Sequence, residues 1–134
     1  MELETLQELR EIFKGGTSVY WLTHYVFGQP SPSHPKTLSQ SSIDLLIINT
    51  VIPFLYAYGK HKGEERLCNR ASQLLEDLKP ENNYITRMWE ECGLKAAHAG
   101  DSQALIQLKK NYCDSKKCLY CRIGYEYFKK EQKE

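Results

Sequence analysis

Three cysteines near the C-terminal end come closest to a chemical site by residue type and spacing. Cys113, Cys118 and Cys121 form C-x4-C-x2-C within the run CDSKKCLYC. Thiolates at such spacing converge on zinc or on an iron–sulfur cluster. A C-x2-C pair grips one metal from a turn that opens a helix, and the positive end of that helix favours thiolate. Lys116 and Lys117, between the ligands, offset thiolate charge. The spacing equals that of the first three ligands of plant-type ferredoxins, but no cysteine follows Cys121. A fourth ligand has to come from Cys68, Cys92 or His98, brought near by folding. Two other readings compete: redox or regulatory thiols, and thiols that merely pack or face solvent without metal. Nucleophilic catalysis has less support, because the sequence certifies no histidine or acid beside these cysteines.

Other chemistry is sparse. His24 lies within the aromatic run VYWLTHYVF and reads as a hydrogen-bonded histidine at the edge of a core, with a metal or catalytic role as the sharper alternative. There is no phosphate-binding loop, no G-x-G-x-x-G and no H-E-x-x-H in the sequence. Charge is balanced, at 18 basic and 17 acidic residues, so no global field recruits nucleic acid or anionic lipid. From Asp101 onward eight Lys/Arg face five Asp/Glu, with Tyr112, Tyr120, Tyr125 and Tyr127 interleaved. That pattern suits contact with nucleic acid phosphates and bases, and a solvated helical face explains it equally. Met1 leads straight into a charged amphipathic segment with no signal peptide. With five cysteines, an odd number, the expectation is a reducing, cytoplasmic setting.

The elements that must position these residues read as helices. Ser41 to Lys60, SSIDLLIINTVIPFLYAYGK, is the longest apolar run. Its apolar residues do not keep to one stripe, so it reads as a buried central helix, about residues 42–59. About 16 apolar residues is short for a membrane span, and Asp44 and Pro53 argue further against one. Ser41 and Asp44 suggest a capping box, and Pro53 suggests a kink through the lost partner of the Asn49 carbonyl. Leu3, Leu6, Leu9 or Ile12, and Phe13 have helical spacing, stopped by Gly15–Gly16. VYWLTHYVF reads as a helix that turns an aromatic wedge inward, followed by a proline-rich loop from Gly28 to Gln40. Gly59 and Gly63 bracket a turn. Glu64–Leu78 is amphipathic, Asn82 or Asn83 caps YITRMWEECG, and Asp101 or Ser102 caps SQALIQLKKNY. A last helix turns Ile123, Tyr127 and Tyr120 or Phe128 inward, and KKEQKE is expected to fray. The fold expected is all-α: one domain over residues 1–134, with six or seven helices around the central one.

The runs GTSVYWLTHYVFG, SSIDLLIINTVIPFLYAYGKHKGEERLC, DSQALIQLKKNYC and CLYCRIGYEYFKK resemble the C-terminal region of a bacterial family, mainly of Bacteroidetes, catalogued as domain of unknown function 2851. The resemblance runs from about Glu8 to Lys130. It implies that this chain is the C-terminal part of a protein roughly three times longer, and it carries over no activity and no catalytic residue. It implies the Cys113, Cys118 and Cys121 pattern and favours Cys68 as a fourth ligand, since Cys92 departs from the family form.

The function expected is therefore non-catalytic: an accessory helical domain that docks on the N-terminal region of its own full-length chain or on another protein, with self-association through an exposed apolar patch. The alternative is a module stapled by zinc or an iron–sulfur cluster that serves a nuclease-like or other nucleic-acid enzyme. An autonomous enzyme has the least support, and no membrane partner is expected.

Overall fold

The computed structural model describes residues 5–131. Leu3, and the last three residues of the tail expected to fray, lie outside that range. Seven helices and one short hairpin make up the described residues, counting Gln40–Lys62 as one helix, so the chain is all-α. It divides between Leu74 and Leu75 into two compact units.

The first unit opens with α1, Leu6–Ile12. The Thr5 hydroxyl accepts the Glu8 N–H at 3.2 Å and the Glu8 carboxylate accepts the Thr5 N–H at 3.0 Å, a complete capping box. Leu9 is the buried residue of this helix. The single turn α2, Val19–Leu22, follows. The chain then becomes extended: β1, His24–Val26, pairs antiparallel with β2, Gln29–Pro30. Gly28, at φ 72°, supplies the left-handed turn between them. This overturns the helix expected through Phe27. A run of β-branched and aromatic residues favours a pleated surface over a helix, and Gly28 is a ready turn residue. The expected aromatic wedge is overturned in part: Trp21 and Leu22 are half-buried, but the rest does not turn inward. Val19 is 83% exposed, and Tyr25, Val26 and Phe27 also face outward.

Helix α3, Gln40–Lys62, is longer than its sequence suggests. Its cap is Ser39, whose hydroxyl accepts the Ser42 N–H at 3.2 Å, rather than Ser41. Asp44 is not part of a capping box. It takes a forked pair from Arg10, with Nε at 2.8 Å and Nη2 at 2.9 Å, and so ties α1 to α3. Proline 53 is accommodated without ending the helix. Ile47–Val51 form a π-helical turn, in which the Ile52 N–H donates to the Ile47 carbonyl, and Asn49 Nδ2 donates to the Leu45 carbonyl at 3.0 Å. A π-turn shifts the bonding register by one residue, which suits a position lacking an N–H. Gly59 is a buried helical residue, not a turn, and Gly63 at φ 71° ends the helix. A Cβ on Gly59 would sit 2.9 Å from Leu67 Cβ and 3.0 Å from Cys68 Sγ, so glycine here permits close approach of α4, Glu65–Asp77.

One face of α3, with Ile43, Ile47, Ile48 and Ile52, is buried. Other positions around the helix are not: Leu45, Leu46, Phe54, Tyr56 and Tyr58 are exposed. Only 28% of the most apolar stretch of this helix is buried. An apolar sequence all round does not here mean burial all round. By length and composition alone α3 could cross a membrane, so the shortness expected of it does not hold. Helix α4 follows its pattern: Cys68, Ala71 and Leu74 are buried.

In the second unit, α5, Tyr84–Glu91, is capped by Asn83. The Asn83 side chain accepts the Ile85 and Thr86 N–H groups, and the Asn83 N–H donates back to Thr86 Oγ1. Gly93 at φ 85° closes the helix. Helix α6, Ala99–Leu108, continues into a π-helical turn, Lys109–Cys113. It starts earlier than expected, with His98 Nδ1 as the cap acceptor for the Asp101 N–H. Ser102 is thereby inside the helix and fully buried. Its hydroxyl donates to the Ala99 carbonyl at 2.8 Å and accepts the Glu81 N–H at 3.1 Å, leaving neither group orphaned. The Trp89 indole N–H donates to the Leu105 carbonyl at 3.1 Å and clamps α5 on α6. The last helix, α7, is Arg122–Glu131. The residues expected to turn inward from it do not: Ile123, Tyr127 and Phe128, and Tyr120 before it, are exposed.

Candidate functional site: the cysteine loop

The loop between α6 and α7 is built by backbone bonds. The Lys116 N–H donates to the Cys113 carbonyl at 3.0 Å and the Lys117 N–H to the Tyr112 carbonyl at 2.9 Å. Lys116 takes a left-handed φ of 52° to make this reversal. Lys109 pairs with Asp114 across the same corner. Cys118–Tyr120 form one 3-10 turn, closed by the Cys121 N–H on the Cys118 carbonyl at 3.2 Å. The Cys121 carbonyl then accepts the Tyr125 N–H at 2.8 Å. Cys121 thus stands at the entrance of α7, where the helix dipole favours negative charge.

The three cysteines differ in environment. Cys113 and Cys118 are exposed, and Cys121 is 8% exposed. Desolvation pushes the Cys113 thiol above its ordinary pKa, and the neighbouring Cys121 and Cys118 add to the rise. The fold therefore does bring Cys113 into the company of the C-x2-C pair. Gly124 locks the arrangement from the far side: a Cβ there would run into the backbone carbonyl of Cys118. Spacing in the sequence does not reveal that contact, although a glycine three residues past Cys121 in a helix is a visible anomaly. An open cleft of about 400 Å³ lies alongside, lined by Gln107, Lys110, Asn111, Tyr112, Ser115 and Lys117.

The three candidates for a fourth ligand stand in different settings. Cys68 belongs to the first unit, where its thiol donates to the Tyr56 carbonyl at 3.6 Å under Gly59. His98 spends Nδ1 on the α6 cap, and Cys92 is an exposed residue at the end of α5. Among the described residues no three His, Cys, Asp or Glu side chains are placed to hold a metal ion. His24 has a structural role. Its Nδ1–H donates to the Tyr20 carbonyl at 2.9 Å, and its ring stacks on Tyr20 with centroids 4.1 Å apart.

No curated protein and no solved structure matches this chain. The cysteine loop lies outside the part of the chain that a known family covers. The model of the family described as protein of unknown function (DUF2851) matches residues 1–84 of the 134, and the chain belongs to that family.

Proposed function

We propose that this chain is a non-catalytic docking domain of a larger cytoplasmic protein, seated through the outer face of α3 on the remainder of that protein. The observation that supports this reading is the exposed face itself. Phe54 is 71% exposed, and Leu45, Leu46, Tyr56 and Tyr58 accompany it on the same helix. Phe54 and Tyr58 stack with centroids 6.2 Å apart, a preformed aromatic pair. Exposed apolar clusters of this kind mark surfaces that another surface covers. Lys60 and Lys62 lie over Tyr56 and Tyr58 at 5.6 and 5.9 Å and rim the patch with charge.

The test is gel filtration with an environment-sensitive apolar dye. The isolated chain is expected to bind the dye and to self-associate as its concentration rises. A clean monomer with no dye binding removes the reading. The alternative, a metal-stapled module for a nucleic-acid enzyme, predicts bound zinc or iron and salt-sensitive nucleic-acid binding. Elemental analysis and binding at low ionic strength separate the two.

A further inference from the structure

We propose that Cys118 and Cys121 form a dithiol–disulfide pair that exchanges with acidic low-molecular-weight disulfides, Cys118 being the entering sulfur and Cys121 the resolving one. Three observations converge on this pair. The 3-10 turn closed by the Cys121 N–H on the Cys118 carbonyl at 3.2 Å sets the two residues three apart across one tight turn. Such a turn brings the ends of its four residues within about 7 Å, inside the range that a disulfide spans with small adjustment. Gly124 holds that turn by its close approach to the Cys118 carbonyl. Exposure is divided as exchange requires: Cys118 meets solvent, and Cys121 is 8% exposed. The adjoining open cleft carries Lys110 and Lys117, the second of these next to Cys118 in sequence, which suits a disulfide bearing carboxylates.

The exchange balances without a metal. The Cys118 thiolate attacks one sulfur of the small disulfide. The S–S bond breaks, one thiol leaves with a proton from solvent, and Cys118 carries a mixed disulfide. Cys121, after losing its proton, attacks the Cys118 sulfur and expels the second small thiol. Two protein thiols are oxidised to one disulfide and one small disulfide is reduced to two thiols.

Oxidised glutathione on the whole chain, with the poise set by added reduced glutathione, tests this. Trypsin cutting after Lys117 and Arg122 releases both cysteines in the single peptide CLYCR, whereas Cys113 leaves in NYCDSK. The expected result is CLYCR lighter by two hydrogens, formed at a poise where Cys92 stays a thiol. C118S abolishes the internal bond. C121S, in the buried position, accumulates one glutathione on Cys118, and C113S changes neither. Three results overturn the proposal: equal glutathione adducts on Cys92, Cys113 and Cys118 with no internal bond; NYCDSK linked to CLYCR; or one tightly held zinc per chain that keeps both thiols reduced.

Discussion

At the scale of single residues, Gly124 decides a sign. Alanine in place of an interior helical glycine ordinarily stabilises by about 1 kcal/mol. Here the added methyl meets the Cys118 carbonyl, a backbone atom that cannot swing aside. Overpacking of this kind costs about 1–3 kcal/mol, so Gly124→Ala is expected to lower stability in urea titration. A gain would mean that α7 can slide off the turn. Cys113 gives a second test. Its raised pKa leaves less thiolate at a given pH, so iodoacetamide should alkylate it more slowly than free cysteine near pH 8, with the gap closing as pH rises. Because the neighbouring Cys121 and Cys118 follow desolvation among the causes, replacing those two by serine should recover part of the lag and not all of it. An alkylation rate equal to that of free cysteine would contradict this environment. The sequence showed these three cysteines as a group. It could not show that one is buried, two are exposed, and a glycine behind them sets the turn, because those facts come from the packing of α7.

At the scale of elements, the departures from sequence expectation have local causes. The pattern of α4 was legible because its apolar stripe is also its buried stripe, and α5 because Asn83 is a strong cap. The segment Val19–Phe27 misled because apolar residues at helical spacing outweighed their β-branched and aromatic character. Asp44 misled for a different reason. Three residues after Ser41 it matches a capping pattern, yet a guanidinium 34 residues away claims it. That forked pair is a polar tie between α1 and α3, and the side chains of Arg10 and Asp44 are only 22% and 19% exposed. Asp44→Ala is expected to cost about 1.5–3 kcal/mol, the range for hydrogen bonds to charged groups. Arg10→Lys loses the fork and recovers only part of this. In a double-mutant cycle the Arg10→Ala and Asp44→Ala losses should be strongly non-additive. Additive losses would show that the pair contributes little.

At the scale of the whole molecule, the apolar run that dominates the sequence has two faces with different jobs. The isoleucine face packs its unit. The face of Leu45 and Phe54 contributes little to that unit, since its side chains already meet solvent. Stability and association are therefore separable by mutation. The double substitution Leu45→Lys, Phe54→Lys should leave the unfolding free energy within about 0.5 kcal/mol, as surface changes do, and leave the helical circular dichroism intact. The same variant should lose apolar dye binding and the concentration-dependent association. Ile47→Ala on the buried face should do the reverse, costing about 2–5 kcal/mol and leaving the outer patch in place in whatever fraction stays folded. Vesicle co-sedimentation supplies the contrasting outcome, because α3 is also long and apolar enough to cross a bilayer. Binding to vesicles of neutral lipid that the Leu45→Lys, Phe54→Lys variant loses would assign the face to a membrane. Self-association without vesicle binding would assign it to a protein surface, as proposed.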